Sequence, residues 1–320
     1  MKGFSFSPRP DDPIRKEAPD AMEYRTLHTA RLPLLFLACV LLWAGCAQDP
    51  PAAQEQLPSG PPSQAPAPAS SEISVPPALE NLTTTDVVSH DGSIYILMYH
   101  HFVEDPAECN DVTTTTEHFR SDLQWLKDNG YTFLLPRDLA GCASLPEKGV
   151  MITIDDGYAS CYYAAYPILQ ELEAKAVISL IVAGQESGDP GFLSWEMCRE
   201  MAGSGLVEFG SHTYDCHRYD EEHGTYGIQR RPGEPREDYE ARVLPDLQAS
   251  IDAIEGELGQ PVRFFAYPHG KTEPWAEDFL REHFAVTVTT RVAPADLSGG
   301  LYQLPRYNIN TTNSPACYMH

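Results

Sequence analysis

Two short clusters of polar residues, each directly after an apolar run, carry the chemistry that this sequence suggests. Asp155 and Asp156 follow the run at 150–154, and His212 and His217 lie in one turn after a second apolar run. Runs of this length, rich in Val, Ile and Thr, are typical of strands buried in a parallel sheet. Ligands bind at the carboxyl ends of such strands, so we expect these four side chains to meet there.

Carboxylates and imidazoles in this arrangement favour a metal site. Two adjacent carboxylates repel each other unless a positive charge lies beside them, and a bound cation often supplies it. One Asp and two His can hold a divalent ion and leave a position open for water. Taken singly, Asp-Asp-Gly is more typical of a surface turn, and a single histidine of a structural residue. The two clusters together favour the metal site.

The motifs Ile-Asp-Asp-Gly and Ser-His-Thr-x-x-x-His around these residues resemble the signature motifs of the polysaccharide deacetylases. This family comprises the NodB-type carbohydrate esterases of family four. The resemblance implies that Asp156, His212 and His217 bind the metal ion and that Asp155 is the general base for water. Thr213 would then support the histidine turn or one of the metal ligands.

The motif Tyr-Pro-His-Gly, which begins at Tyr267, resembles the third motif of the family, usually Arg-x-Pro-aromatic-Gly. By this resemblance Tyr267, Pro268 and His269 border the substrate, and the backbone N–H of His269 points at the oxyanion. The His269 ring is either functional or only a wall of the cavity. Ala266 occupies the position of the arginine that normally orients the catalytic aspartate, so the orientation of Asp155 is left unexplained.

The general acid of the family is missing from its usual position. Leu-Pro-Arg, ending at Arg306, stands where the fifth family motif has Leu-x-His, whose histidine protonates the leaving amine. Arginine stays protonated and is a poor acid, so Arg306 is assigned to the substrate or oxyanion side. His100, after the strand predicted at 93–99, is predicted to be the acid instead. The alternative is that His100 or His101 packs and the other is solvated.

The spacing of the histidines bears on the substrate. His212 and His217 lie five positions apart, whereas four is common in the family. This spacing and the Tyr99-His100 pair resemble the subgroup that acts on poly-N-acetylglucosamine. The resemblance therefore favours N-acetylglucosamine polymers, with peptidoglycan and acetylated xylan as open alternatives.

Strand-like and helix-like segments alternate from residue 93 to about 310, which predicts an α/β fold with a parallel sheet. The family resemblance implies a distorted (β/α)7-type barrel with the active site at the C-terminal ends of the parallel strands. Residues 218–240 are polar and rich in Gly and Pro, so they are predicted to form a long surface loop that shapes a substrate groove.

The composition limits the choice of partners. Among 320 residues, 22 Lys and Arg stand against 46 Asp and Glu, giving a formal net charge of -24. This charge argues against a nucleic-acid partner. It is compatible with a neutral or cationic polymer, and equally with a role in solubility alone. The sequence leaves the oligomeric state open.

The N-terminal region predicts export. Residues 33–45 form an apolar run that is short for a membrane span, after Arg25 and Arg31 and directly before Cys46. A small-small-Cys ending resembles a bacterial lipoprotein signal with Cys46 as the lipidated residue. An uncleaved anchor or an ordinary signal peptide are the alternatives, and all three place the domain outside the cytoplasm. The first 21 residues precede a more typical signal start at Met22.

Three regions follow from these patterns. Residues 1–46 comprise the N-terminal extension and signal segment, and 47–80, rich in Pro, Ala and Ser, are predicted to be a disordered linker. Residues 81–320 are predicted to be the catalytic domain.

Of eight cysteines, the six after Cys46 could form three disulfides in an exported protein. Cys216, inside the histidine turn, is read as a disulfide or small buried residue rather than a ligand.

These observations predict a metal-dependent polysaccharide N-deacetylase, a hydrolase of non-peptide carbon–nitrogen bonds. Zinc is the expected ion, with cobalt, nickel or iron as alternatives. The expected partners are an acetylated polysaccharide and, through a lipid on Cys46, a membrane. Two other functions remain open: a catalytically weak sugar-binding lipoprotein on the same fold, and an O-acetyl esterase acting on xylan.

Overall fold

The computed structural model describes residues 92–141 and 144–319, all within the compact unit Ser71–His320. The predicted signal segment, the lipidation site Cys46, the linker at 47–80 and Cys142 lie outside the described residues. Within the described ranges, no helix is both long enough and apolar enough to span a bilayer.

Thirteen strands are present in the described part of the chain. They are β1 (Ser93–Tyr99), β2 (His101–Val103), β3 (Thr113–Thr115), β4 (Thr132–Phe133), β5 (Gly149–Ile154), β6 (Ala176–Leu180), β7 (Val207–Ser211), β8 (Tyr219–Asp220), β9 (Thr225–Tyr226), β10 (Phe264–Ala266), β11 (Val286–Val288), β12 (Ala295–Asp296) and β13 (Tyr307–Asn308). Nine of them form one sheet in the order β11-β10-β7-β6-β5-β1-β12, with β4 beside β5 and β13 beside β1.

Helices connect the central strands. They are α1 (Thr116–Asp128), α2 (Pro136–Gly141), α3 (Tyr166–Leu172), α4 (Val182–Glu186), α5 (Trp195–Gly203), α6 (Arg236–Leu258) and α7 (Glu277–His283). The apolar faces of α1, α3, α5 and α6 pack on the sheet, and every residue of β5 is buried. A strand that is covered on both faces needs apolar side chains in both directions, which explains the continuous apolar run of β5.

The predicted fold is confirmed. The large sheet is parallel except for β12, which pairs with β1 in the antiparallel sense, and it curls into a half-barrel with helices around it. The register matters for function. Tyr99 pairs with Ile154, and Leu180 pairs with Ser211, so neighbouring strands end level with each other. The residues that follow these ends therefore project from one edge of the sheet.

One local prediction was wrong. The segment 218–240 is not a continuous loop, because it contains the β8–β9 hairpin and the start of α6.

The predicted disulfides are absent among the described cysteines. Cys109, Cys161, Cys198, Cys216 and Cys317 are all free thiols. Cys161 and Cys198 are fully buried in the hydrophobic core, where a thiol packs as a small apolar group. The Cys216 thiol hydrogen-bonds to Asp246, so it is engaged away from the predicted metal ligands.

Candidate metal and catalytic centre

The adjacent aspartates diverge because the backbone turns sharply at the end of β5. The Asp155 N–H still donates to the Tyr99 carbonyl at 2.9 Å, which continues the pairing with β1. Asp156 has a φ of 74°, in the left-handed region that non-glycine residues rarely adopt. The turn allows both carboxylates to face the same edge of the sheet, although neighbours in a regular strand point to opposite faces.

The two histidines present their Nε2 atoms to Asp156. His212 follows β7, and its Nδ1 lies 2.7 Å from the Ala266 carbonyl oxygen. A carbonyl can only accept, so Nδ1 carries the proton and Nε2 keeps a free lone pair. The Nε2 atoms of His212 and His217 lie 3.6 and 3.8 Å from Asp156 Oδ1. One ligand atom from each of these three residues lies within 4.8 Å of the others.

This arrangement fits a divalent cation. Asp156 Oδ1 is buried and has no hydrogen-bond partner in the described part of the chain, although two ring nitrogens face it. Burial raises the pKa of Asp156 to about 6, and burial also lowers the pKa of both His212 and His217. The imidazoles are therefore held in the neutral form that binds metals. A carboxylate oxygen and two imidazole nitrogens are a donor set that suits zinc.

Asp155 is held by a fully buried arginine. Arg306 donates from Nη1 to Oδ1 at 2.9 Å and from Nη2 to Oδ2 at 2.8 Å, which is a bidentate contact. The guanidinium also donates to the Thr153 hydroxyl and to the Thr289 carbonyl, at 3.0 and 2.9 Å. Burial alone raises the pKa of Asp155, but Arg306 and His212 outweigh it and hold the pKa below its usual range. Asp155 is thus an ionised carboxylate in a fixed orientation.

Arg306 therefore lies elsewhere than predicted. Its side chain is 0% exposed and faces Asp155, so it does not line a substrate surface. It supplies the contact that Ala266 cannot make from the usual motif position. Tyr267 is also fully buried, and its hydroxyl donates to Glu277 on α7, away from the aspartates. These two side chains do not fit the predicted substrate contacts, because neither reaches solvent.

His100 lies beside both carboxylates. It follows β1 and is half-buried, and its Nδ1 has no hydrogen-bond partner among the described residues. A positive charge on its ring opposes the rise in the pKa of Asp156 that burial causes, and it adds to the lowering of the pKa of Asp155. Its neighbour His101 points to the Ser160 hydroxyl, with Nδ1 at 2.9 Å.

The remaining predicted residues surround the histidine turn. Thr213 is fully buried with a φ of 76°, a rare conformation for a β-branched residue, and its carbonyl accepts from the Val182 N–H. His269 is exposed, and its ring stacks on that of His217 at 4.3 Å between centroids. Pro268, the residue before His269, is buried.

A family model described as polysaccharide deacetylase matches residues 143–284, the range that contains Asp155, Asp156, His212 and His217. The chain contains a polysaccharide deacetylase domain over this range. The family resemblance noted in the sequence is thereby confirmed, and so is the enzyme class, a polysaccharide N-deacetylase.

Relatives and solved structures agree with this deacetylase assignment. The Bacillus subtilis protein YxkH is 25% identical over 292 residues, which are 90% of this chain and 95% of that protein. The poly-beta-1,6-N-acetyl-D-glucosamine N-deacetylase of Escherichia coli is 27% identical over 234 residues, 63% of this chain but only 34% of that protein. A de-N-acetylase from Aggregatibacter actinomycetemcomitans has a TM-score of 0.62 and 26% identity, covering 70% of this chain and 98% of that one.

Sequence reasoning on this deacetylase missed the role of Arg306. The family pattern directs attention to the position of Ala266 for the arginine, and to a histidine at the position of Arg306. A signal was present in the sequence, since an arginine was lost from one motif and another appeared in a second motif. Only the pairing of β13 with β1 brings Arg306 to Asp155.

Proposed function

We propose that this deacetylase removes acetyl groups from N-acetylglucosamine-containing polysaccharide outside the cytoplasm, with one divalent metal ion. Asp156, His212 and His217 would hold the ion. The observation that carries the proposal is the buried Oδ1 of Asp156, which has no hydrogen-bond partner among the described residues and faces two imidazole Nε2 atoms. A buried carboxylate oxygen without a partner is unfavourable, and a cation between these three atoms removes the penalty.

The chain's own residues then divide the proton transfers. When bound, the ion supplies Lewis-acid activation of water and of the acetyl carbonyl. Asp155, fixed by Arg306, accepts a proton from the attacking water. His100 donates a proton to the amine as the carbon–nitrogen bond breaks, giving acetate and a free amino group. The backbone N–H of His269 is our candidate for the oxyanion donor.

The substrate class is inferred from relatives and motif spacing. The Escherichia coli relative is named as a poly-beta-1,6-N-acetyl-D-glucosamine N-deacetylase, and the neighbour of known structure as a de-N-acetylase. The five-residue separation of His212 and His217 is the spacing that we associate with this subgroup. Zinc is the expected metal, and cobalt, nickel or iron are alternatives.

The direct test is acetate release from a panel of acetylated glycans. Oligomers of β-1,6-linked and β-1,4-linked N-acetylglucosamine and an O-acetylated xylan would be incubated with the metal-loaded chain, with chelator, and with chelator followed by zinc. We expect acetate from N-acetylated oligomers, loss with chelator and recovery with zinc. Metal bound at one ion per chain without acetate from any glycan would return the chain to the sugar-binding alternative. Acetate from xylan alone would select the O-acetyl esterase.

Two variants test the roles of the individual residues. Asp155→Asn and His100→Gln should each lower kcat by about 100-fold or more while the metal content stays at that of the unmodified chain. His283→Gln, on α7, is the matched control and should change neither quantity. Unchanged kcat in His100→Gln, with metal bound, would remove His100 as the general acid.

We also propose that Cys46 carries a lipid that anchors the chain to a membrane, with 47–80 as the linker to the domain at 81–320. The support is the sequence around Cys46, outside the described residues. Cells fed an alkyne-tagged fatty acid should label the unmodified chain and Cys39→Ser but not Cys46→Ser. Equal labelling of both variants would contradict the assignment.

A further inference from the structure

The β8–β9 hairpin carries two exposed tyrosines side by side. Tyr219 is 48% exposed and Tyr226 38%, and their ring centroids lie 4.5 Å apart. Large apolar rings are usually covered in a folded protein, so a pair left together in solvent points to a contact surface.

The tyrosine pair is the outer end of a series of rings that begins at the proposed metal ligands. Centroid distances are 4.4 Å from His212 to His217, 4.3 Å from His217 to His269, and 5.1 Å from His269 to Tyr226. Exposure increases along the series, because His212 is 2% exposed, His217 is half-buried and His269 is exposed. The tyrosines thus lie at the rim of the same site, one ring beyond His269.

The hairpin is fixed to the loop that carries His269. A Cβ added to Gly227 would lie only 2.6 Å from the Pro268 Cβ, so the hairpin base rests directly on this loop. The Gly227 N–H donates to the Arg218 carbonyl at 2.9 Å, and Arg231 Nε donates to Asp220 at 2.8 Å across the hairpin. The hairpin that carries the rings is therefore held in place before any ligand binds, which reduces the entropy lost on binding.

A polar cavity adjoins the hairpin. It has a volume of about 440 Å³, and its lining includes Arg218, Tyr219, Asp220, Glu221 and Asp246. Carboxylates, guanidinium groups and a tyrosine hydroxyl together offer acceptors and donors in several directions. This combination of an aromatic surface with nearby polar groups matches a sugar ring, which presents apolar C–H faces and hydroxyl groups around its edge.

We propose that Tyr226 and Tyr219 form a stacking platform for a sugar residue of the polysaccharide beside the residue that is deacetylated. The inference rests on the proposed function and adds a specificity element to it. The platform makes the chain select polymers over single sugars, because only a ligand of several residues reaches both the metal ligands and the hairpin.

The test compares a long with a short substrate on metal-loaded protein. For Tyr226→Ala and Tyr219→Ala, the ratio of kcat/KM on an N-acetylglucosamine pentamer to kcat/KM on a small acetyl ester should fall about three- to tenfold per ring, through KM. Tyr226→Phe should retain the ratio, since the stacking face remains. Tyr163→Ala, 66% exposed but outside the ring series, is the matched control and should leave the ratio unchanged. An unchanged ratio in the double alanine variant would overturn the proposal.

A binding measurement separates this proposal from the proposed function. If the unmodified chain releases no acetate from any glycan, the deacetylase proposal fails, and the platform is tested by calorimetric titration with the pentamer. Binding by the unmodified chain and by Tyr226→Phe, with loss in Tyr219→Ala/Tyr226→Ala, supports the platform. Equal pentamer affinity in the double alanine variant overturns it.

Discussion

At the scale of single residues, the centre is defined by two adjacent aspartates with different roles. Within the described ranges, one oxygen of Asp156 has no hydrogen-bond partner, which suits a ligand for a metal ion. Asp155, one position earlier, has both oxygens occupied by Arg306 and an accordingly low pKa. The two aspartates thus have different pKa values because their surroundings differ. Such a difference suits two carboxylates that have different roles in one site.

Substitutions of Arg306 should distinguish its role in orienting Asp155 from the effect of its positive charge. Arg306→Lys keeps a positive charge but loses the bidentate contact, so we expect kcat for acetate release to fall about tenfold or more with unchanged metal content. Arg306→Met leaves Asp155 buried without a partner and should lower the free energy of unfolding by about 3–5 kcal/mol in urea titrations.

The control for this pair is Arg199→Lys. Arg199 forms an exposed ion pair with Glu257. The free energy of unfolding should therefore stay within about 0.5 kcal/mol of that of the unmodified chain, and kcat should stay within about twofold. If Arg306→Lys retained full activity, the orientation of Asp155 by the bidentate contact would be unimportant.

The site residues that could be identified from the sequence are those that belong to a short, contiguous motif. Asp155, Asp156, His212 and His217 stand in short motifs, and each motif follows the end of one strand. The contact of Arg306 with Asp155 joins positions 151 residues apart. No local pattern encodes such a contact, because it depends on the pairing of β13 with β1.

At the scale of elements, the close approach of β7 and β10 brings the Ala266 carbonyl to His212. Gly210 makes this approach feasible, since a Cβ there would lie 2.8 Å from the Phe264 carbonyl oxygen. The strands of the central sheet were predictable because each is a buried apolar run with a turn after it. The β8–β9 hairpin was not, because two-residue strands have no periodic pattern to detect.

Gly210→Ala should push β10 away from β7. We expect the free energy of unfolding to fall by about 1–3 kcal/mol, because the added methyl group meets backbone that cannot move aside. Urea titration monitored by circular dichroism would measure it.

Gly203→Ala is the matched control for the same methyl group. At this position, at the end of α5, the added Cβ would meet no atom within 4 Å among the described residues, apart from its chain neighbours and the backbone of its own helix. The unfolding free energy should stay level or rise by about 0.5–1 kcal/mol, since alanine favours a helix over glycine. Equal losses in both variants would show that the β7–β10 approach is not tight.

At the scale of the whole molecule, the half-barrel followed from the alternation of strand and helix segments, and the resemblance supplied the barrel type. The disulfide prediction failed at this scale. Cysteine spacing contains no information on which thiols meet, and burial of Cys161 and Cys198 satisfies them without a bond.

Metal binding should stabilise the whole domain, because its ligands come from β5 and from the turn after β7. At a free zinc concentration 100 times Kd, the free energy of unfolding should rise by about 2.7 kcal/mol. A thermal unfolding experiment with chelator and then with excess zinc would measure the shift in Tm. His212→Ala should abolish the shift and His283→Gln should retain it. A shift that persists in His212→Ala would place the ion elsewhere.

Arg306, which holds Asp155, is synthesised after all the proposed metal ligands. All the proposed metal ligands precede residue 220 in the chain. The arginine that holds the base follows about 90 residues later, directly before β13. A chain shortened by proteolysis before Arg306 would keep the residues that capture the ion and lose the one that aims the carboxylate. On the proposed mechanism, hydrolysis therefore requires a chain that extends past Arg306.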